Sequence, residues 1–249
     1  MELTILGCAG GGVPRPGGAA SGYLVRSGKT RLLVDCGNGI LGNLSRHVRY
    51  EDLDAIYLSH MHFDHCLDLF PLLLARARFG PTPIYAPPGA QEKLESLFRL
   101  FSSHPDLYIN GMNLREHVPG QEIQLGDLTL RSLEVVHNAP SFALRLEDSD
   151  GSLAYSSDTG PCPALIRIAE DADLFLCEAS FQENDAMKAY RNVHLTAKEA
   201  GGFAKNARSK RLVLTHLLHS LDQDLSRKEA EGAFSGAVEV AQEGKSLTV

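Results

Sequence analysis

The 249-residue chain carries no excess of positive charge. It has 24 Lys and Arg against 31 Asp and Glu, a formal net charge of −7. That argues against a nucleic-acid partner held by broad phosphate neutralisation. A small anionic substrate stays compatible, because a bound dication would dominate its local field. No apolar run approaches the roughly 20 residues of a membrane span. The opening Met1-Glu2-Leu3-Thr4-Ile5-Leu6 lacks the basic start of a signal peptide and runs straight into a strand pattern. Cysteine is sparse: five residues, at 8, 36, 66, 162 and 177, odd in number and irregular in spacing. A disulfide framework is therefore not expected, whereas reduced thiols in a cytoplasmic protein are.

What is present is ordinary for a soluble globular protein: 43% hydrophobic and 22% charged residues, with no short repeat and no low-complexity tract. Gly10 to Gly18 reads as a loop. It lacks the Gly-Lys-Ser/Thr ending of a phosphate-cradling loop, and no helical pattern follows it. Strand patterns fall at 2–7, 21–26 and 31–34, with a turn at Ser27-Gly28-Lys29 and a short helix ending near His47. Leu and Phe spacing predicts a helix over 67–79, then a strand at 83–86 and a helix over 90–102. Residues 103–120 read as irregular, a plain surface loop first and otherwise the best place for a lid or linker. Strands return at 122–125, 129–136, 142–146, 153–156, 174–177, 212–215 and 247–249, with helices near 163–170, 196–207 and 226–234. Thr196 and Glu199 have the spacing of a capping box. The simplest architecture is one domain over 1–249 with two sheets face to face and helices outside, an αββα sandwich.

The chemistry concentrates at Ser59-His60-Met61-His62-Phe63-Asp64-His65-Cys66. An apolar, β-favouring run precedes it and a helical pattern follows, so it sits on a turn at the carboxyl end of a strand, where α/β folds build sites. His60 and His62 are two apart, so extended backbone points both the same way; Asp64 and His65 need a turn to join them. Imidazole and carboxylate together suit zinc and similar ions. His137, Asp158 and His216 each follow an apolar strand. Singly each reads as a structural polar residue. Together they supply what a pair of metal ions needs: His60, His62 and His137 for one, Asp64, His65 and His216 for the other, and Asp158 to bridge. His47, His104, His117 and His219 read as surface residues. Asp68 fits either support of the site or a helix start. Ser141 and Phe142 follow His137 closely enough to line a pocket, although Phe142 fits a core equally well. Cys66 abuts a donor set that is already complete.

This series resembles the metallo-β-lactamase superfamily: Asp35 after a strand, the His-x-His-x-Asp-His run at 60–65, then His137, Asp158 and His216 in that order, across almost the whole chain. The resemblance implies the αββα fold and a dinuclear site, usually zinc and sometimes manganese or iron, with Asp35 fixing the His loop. Within the superfamily the chain looks most like the ribonuclease Z-like phosphodiesterase branch. Tyr155-Ser156-Ser157-Asp158-Thr159 resembles that branch's Tyr-Ser-Gly-Asp-Thr, Cys177-Glu178-Ala179-Ser180-Phe181 its His-Glu-Ala-Thr-Phe, and His194-Leu195-Thr196 its His-Ser-Thr. From Leu6-Gly7-Cys8 through Ser21-Gly22-Tyr23 it is also similar to small bacterial members regarded as cyclic-nucleotide phosphodiesterases. Cys177 departs from the family's His, leaving Glu178 as that stretch's acid–base member. No long Gly/Pro-rich insertion that would clamp transfer RNA is evident.

The implied chemistry is hydrolysis of a small phosphodiester, such as a cyclic nucleotide, by water acidified between two divalent ions. Asp64 would bind metal and steer the attack, and His194 would protonate the leaving group with Glu178 orienting it. RNA 3′ processing and hydrolysis of a lactone or ester are alternatives on the same centre, and a non-enzymatic metal-binding module is a third. Relatives of this kind are often dimers, which makes a homodimer an expectation.

Overall fold

The structure, a computed structural model, describes residues 1–76, 82–109, 112–184 and 192–249. The first sheet takes β1 (Glu2–Gly7), β2 (Gly22–Ser27), β3 (Thr30–Val34), β4 (Ala55–Tyr57), β5 (Pro83–Ala86) and β6 (Asn113–Glu116) in order. The second takes β7 (Glu122–Leu125), β8 (Leu128–Val135), β9 (Ser141–Glu147), β10 (Ser152–Tyr155), β11 (Leu174–Glu178), β12 (Arg211–Thr215) and β13 (Ala237–Val240). β14 (Ser246–Thr248) then returns to pair with β1. In each sheet an antiparallel half joins a parallel half: β3 to β6 in the first, β10 to β13 in the second. The expected αββα sandwich is what the chain forms.

Alternation along each strand assigns the layers. Leu174 and Leu176 of β11 face the first sheet and join Leu3, Ile5, Tyr23, Val25 and Val34 in the central core. Their neighbours Phe175 and Cys177 face outward, against Leu165 of α6 (Pro163–Ile168), Ala200 and Ala204 of α7 (Ala197–Asn206) and Ala230 of α8 (Gln223–Ala233). On the other side Leu24, Leu33 and Ile56 meet α1 (Ile40–Leu44), α3 (Leu69–Arg76) and α4 (Ala90–Phe101). Strands buried on both faces read as continuous apolar runs, which is why β4 and β11 stand out in the sequence. Full burial of each such Leu or Phe contributes about 1.5–3 kcal/mol. The capping box at the start of α7 forms, with the Thr196 hydroxyl accepting from the Glu199 N–H and Glu199 accepting from Thr196.

Four expectations need correction. The helix expected over 67–79 is α3, which starts at Leu69 after a break from the short α2 (Phe63–Cys66) on the turn before it, with residues 77–79 outside the described set. The break arises because the Asp68 N–H bonds the Cys36 carbonyl and the carbonyls of Asp64 and His65 are taken by Ser21 and Cys36, and Pro71 adds to it by having no N–H to give Leu67. Asp68, in the break, accepts from the N–H of Leu41 and so serves the start of α1. The 103–120 stretch contains α5 (Asp106–Ile109) and the edge strand β6, so residues 113–116 are sheet and not lid. Asn-Leu-Arg-Glu has weak strand character, and its pairing with β5 decides it. The edge strand β13, absent from the sequence reading, is settled the same way by β12. Finally, His117 is a core residue. It is 4% exposed, stacks on Tyr57 with ring centroids 4.5 Å apart, and donates from Nε2 to the Leu58 carbonyl at 2.7 Å.

Burial depresses the His117 imidazole from 6.5 to about 4. The unfolded chain therefore binds the extra proton between those values, and stability falls as pH drops from 6.5 towards 4 and is flat above 6.5. The difference in unfolding free energy between the native chain and a His117→Gln variant is expected to shrink by about 3 kcal/mol across that window. Urea denaturation at a series of pH values checks it; parallel profiles for the two proteins would contradict a neutral buried imidazole.

Candidate metal centre

Every side chain singled out for metal binding lies at the carboxyl end of a strand or on the turn beyond it. β4 leads into Ser59–His62, which ends at the N terminus of α2, so Asp64 and His65 fold back beside the two preceding histidines. β8 leads to His137, β10 to Asp158 and β12 to His216. These tips turn sharply. Asp35, Ser157 and His216 all take positive φ, at 57°, 55° and 56°. Left-handed backbone is costly for residues with a Cβ and persists where packing over-determines it. At His216 the packing is visible. A Cβ on Gly10 would lie 2.4 Å from the His216 carbonyl oxygen, so glycine alone permits that contact. The glycine-rich loop thus serves close packing.

The seven residues lie together in two adjoining groups. His60, His62, His137 and Asp158 form one group whose ligand atoms lie within 4.8 Å of one another, and Asp64, His65 and His216 form a second. His62 Nδ1 stands 3.1 Å from His60 Nε2 and 3.2 Å from His137 Nε2. Asp158 reaches both groups: Oδ2 is 3.8 Å from His60 Nε2 and 3.2 Å from His216 Nε2, and Oδ1 is 3.3 Å from His65 Nε2. Asp64 Oδ2 is 3.3 Å from His216 Nε2.

The partners of the opposite ring nitrogens fix the tautomers. His137 Nδ1 donates to the Val193 carbonyl at 2.8 Å, and His65 Nδ1 to Asp35 at 2.8 Å. Ser59 Oγ gives its proton to Asp35 and so accepts from His60 Nδ1. Ser180 Oγ gives its proton to Glu178 and accepts from His216 Nδ1. The Nε2 atoms of His60 and His137 are thereby left as bare lone pairs facing one another, His62 brings Nδ1 to the same place, and His65 and His216 turn Nε2 toward Asp158. His65 Nε2 and Asp158 Oδ1 are buried without a hydrogen-bond partner. Lone pairs crowded at these distances with no proton between them suit a divalent cation, and orientation of each imidazole by a carboxylate, carbonyl or hydroxyl behind it is usual for metal ligands. The charge states divide: burial works against charge on His65, but Asp158 and Asp35 outweigh it and raise that imidazole well above its ordinary range, so a cation entering there displaces a proton. Burial holds His60, His62 and His137 below the ordinary imidazole range, hence neutral. Burial opposes ionisation of Asp158, but His216 and His65 overcome it and hold its carboxyl well below the usual range. Deprotonated donors are what cation binding requires.

Beside this cluster lies a second pairing. Glu178 is fully buried and accepts from His194 Nδ1 at 2.9 Å, from the N–H groups of Thr159, Ser180 and Leu195, and from Ser180 Oγ. Burial works against charge on His194, but Glu178 outweighs it and raises the imidazole to about 9. His194 also stacks on His216 with centroids 5.6 Å apart and belongs to a third group with Asp158 and His216. Backbone bonds between Phe181 and both Leu195 and Ala197 hold that segment against the end of β11.

The sequence reading did not single out Ser59, Tyr155 or Ser180 individually. Ser59 and Tyr155 both donate to Asp35, Tyr155 from the opposite sheet at 2.8 Å, so Asp35 accepts four hydrogen bonds in all with those from the Ser59 N–H and His65. Only the spacing of Ser180 two residues after Glu178 hinted at its place. Ser141 binds the Asp158 carbonyl through Oγ. Phe142 is core, edging His117, and Cys177 packs outward beneath the helices. Burial pushes the Cys66 thiol up to about 12, so it offers no thiolate. All five cysteines are free.

The profile of the Beta-lactamase superfamily domain matches residues 30–217, the span that holds every one of these side chains. The chain belongs to the β-lactamase superfamily. Within this superfamily it is 35% identical to Probable metallo-hydrolase YhfI of Bacillus subtilis, over 98% of both proteins. The crystal structure of that protein superposes with a TM-score of 0.88 at 34% identity, covering 99% of each chain. Ribonuclease Z of Myxococcus xanthus is 28% identical over 98% of this chain and 96% of its own length. A diphosphatase from the PhnP family, at 21% identity over 100% of this chain and 97% of its own, shares the superfamily fold with a TM-score of 0.78.

Replacing Asp35 by Asn keeps its shape and its tolerance of positive φ but removes the charge behind His65. Metal affinity is expected to fall about 10–100-fold. Competition with a chromophoric chelator measures it, and a change under about threefold would remove Asp35 from this role.

Proposed function

We propose that the protein is a dinuclear metal-dependent hydrolase that cleaves a small phosphodiester, a cyclic nucleotide such as cyclic AMP being a substrate of fitting size and charge. The donor set fits two divalent ions: His60, His62 and His137 for one, Asp64, His65 and His216 for the other, with Asp158 between them. Zinc suits this imidazole and carboxylate chemistry, and manganese is compatible with it. Such ions, when bound, lower the pKa of water and neutralise charge on phosphoryl oxygens.

The chain's own residues supply the rest. His194 is the observation that carries the reading, for it bears a proton at neutral pH and lies beside Asp158 and His216. Its Nδ1–H is committed to Glu178, so Nε2–H is the one available to a departing alkoxide. Glu178, sealed from solvent, orients the ring and keeps it charged. Asp64, with its carboxyl kept ionised mainly by the His216 hydrogen bond against the opposing cost of burial, is placed to accept a proton or a hydrogen bond from attacking water.

The relatives named ribonuclease Z support a second reading, RNA 3′ processing, which cleavage of a precursor transfer RNA would establish. The chain's net charge of −7 favours the smaller substrate.

Elemental analysis of the pure protein should find two divalent ions per chain, and exhaustive chelation should abolish hydrolysis of bis-(p-nitrophenyl) phosphate until metal is returned. A His62→Ala variant that kept full activity would refute the dimetal chemistry. Leaving-group dependence tests the acid. His194→Ala should lower kcat on an alkyl diester such as cyclic AMP by about 10²–10⁴-fold. It should do so much less on bis-(p-nitrophenyl) phosphate, whose p-nitrophenolate departs without protonation. Equal losses on both would mean that His194 does something other than protonate.

A further inference from the structure

Phe63 sits between two of the metal-cluster residues, His62 and Asp64, as the first residue of α2, and it is 55% exposed. Leaving an aromatic ring in water forgoes the burial that most rings obtain. Other apolar side chains of the protein are exposed too, but Phe63 differs in two respects. It lines the cavity of about 330 Å³ that opens over Asp158, His194 and His216, with Leu218 also on its wall. And its ring edge lies against Gly12. A Cβ on Gly12 would stand 2.2 Å from Phe63 Cε2 and 2.6 Å from Cζ, so the ring edge rests on glycine backbone that takes φ +67°. The ring thus stands at the mouth of the pocket with one edge against Gly12 and its remaining surface open to a ligand.

Phe181, the other aromatic of the cavity, has a different task. It is buried and meets His194 edge-on, with centroids 5.9 Å apart. We propose that Phe63 is a stacking platform that selects phosphodiesters carrying a flat aromatic or heteroaromatic ring. The phosphoryl group lies at the His/Asp cluster and the ring lies on Phe63. This deepens the phosphodiesterase reading and rests on it for the position of the phosphoryl group. Because every base has a π-face, such a platform distinguishes a ring from no ring and not one base from another.

Calorimetric titration of the zinc-loaded protein with adenosine 5′-monophosphate and with ribose 5-phosphate tests this without turnover, since the two probes differ by the ring. The native protein should bind the ring-bearing probe at least about tenfold more tightly, in the range that stacking on one aromatic supplies. Phe63→Ala should shrink that gap to under about threefold, and Phe63→Tyr, which keeps the π-face, should preserve it. Phe63→Leu keeps most of the apolar bulk without a π-face and should also lose the gap, which covers the case of an Ala variant that does not fold. Equal affinities in the native protein, or a gap that survives in Phe63→Leu, would overturn the platform. The two readings fail separately. A ring preference that depends on Phe63, in a protein that cleaves no diester, keeps the platform and sinks the phosphodiesterase. Diester cleavage with no ring preference does the reverse.

Discussion

Unprotonated imidazole nitrogens do not choose to face one another at 3 Å. Their lone pairs repel, and water that would solvate them is shut out of a buried cluster. Yet four Nε2 atoms, one Nδ1 and two carboxylates are held in this arrangement, and much of the chain's architecture holds them there. The nitrogens are aimed at the cluster because the far side of each ring is already bonded, to Asp35, Ser59, Val193 and Ser180. The strand tips can reach the cluster only because three of them accept left-handed backbone. A cation converts the repulsion into attraction, so the cost of assembling the donors is borne in advance by the rigidity of two packed sheets.

Two buried carboxylates divide the work. Asp35 follows β3 in the first sheet and accepts four hydrogen bonds; Glu178 ends β11 in the second and accepts five. Each is an acceptor surrounded by donors, and each fixes a histidine in one protonation state. Asp35 takes the Nδ1–H of His65 and turns its other nitrogen onto Asp158. Glu178 takes the Nδ1–H of His194 and keeps that ring charged. The same residue chemistry thus suits a metal ligand in one place and an acid in the other, according to what each second nitrogen faces. Tyr155 reaches from β10 to Asp35, and Tyr23 from β2 to Thr215 on β12, so the site is tied across the central layer and the two sheets cannot shift independently.

The departures from the sequence reading share a cause. His117 looks like a surface residue because its own stretch is polar and irregular, and its burial comes from Tyr57 and Phe142, distant in the chain. The edge strands β6 and β13 have little strand character of their own and exist because a neighbour offers a ladder. Ser180 has only its spacing from Glu178 to mark it, and its hydroxyl joins Glu178 to His216, which arrives from 36 residues away.

The amino-acid sequence by itself determined the metal-ligand types, their order and the strand-end context of each, because those depend on local pattern: apolar runs closing on His or Asp, and three His with one Asp in six positions. It also determined the layered architecture, since strands buried on both faces and amphipathic helices leave few other ways to hide their apolar sides. The tertiary structure alone decided which nitrogen of each imidazole is bare, which histidine is charged and which aromatic stands open at the pocket mouth. Those outcomes are set by contacts between segments far apart in the chain, at distances of a few ångströms, which no run of neighbouring residues records.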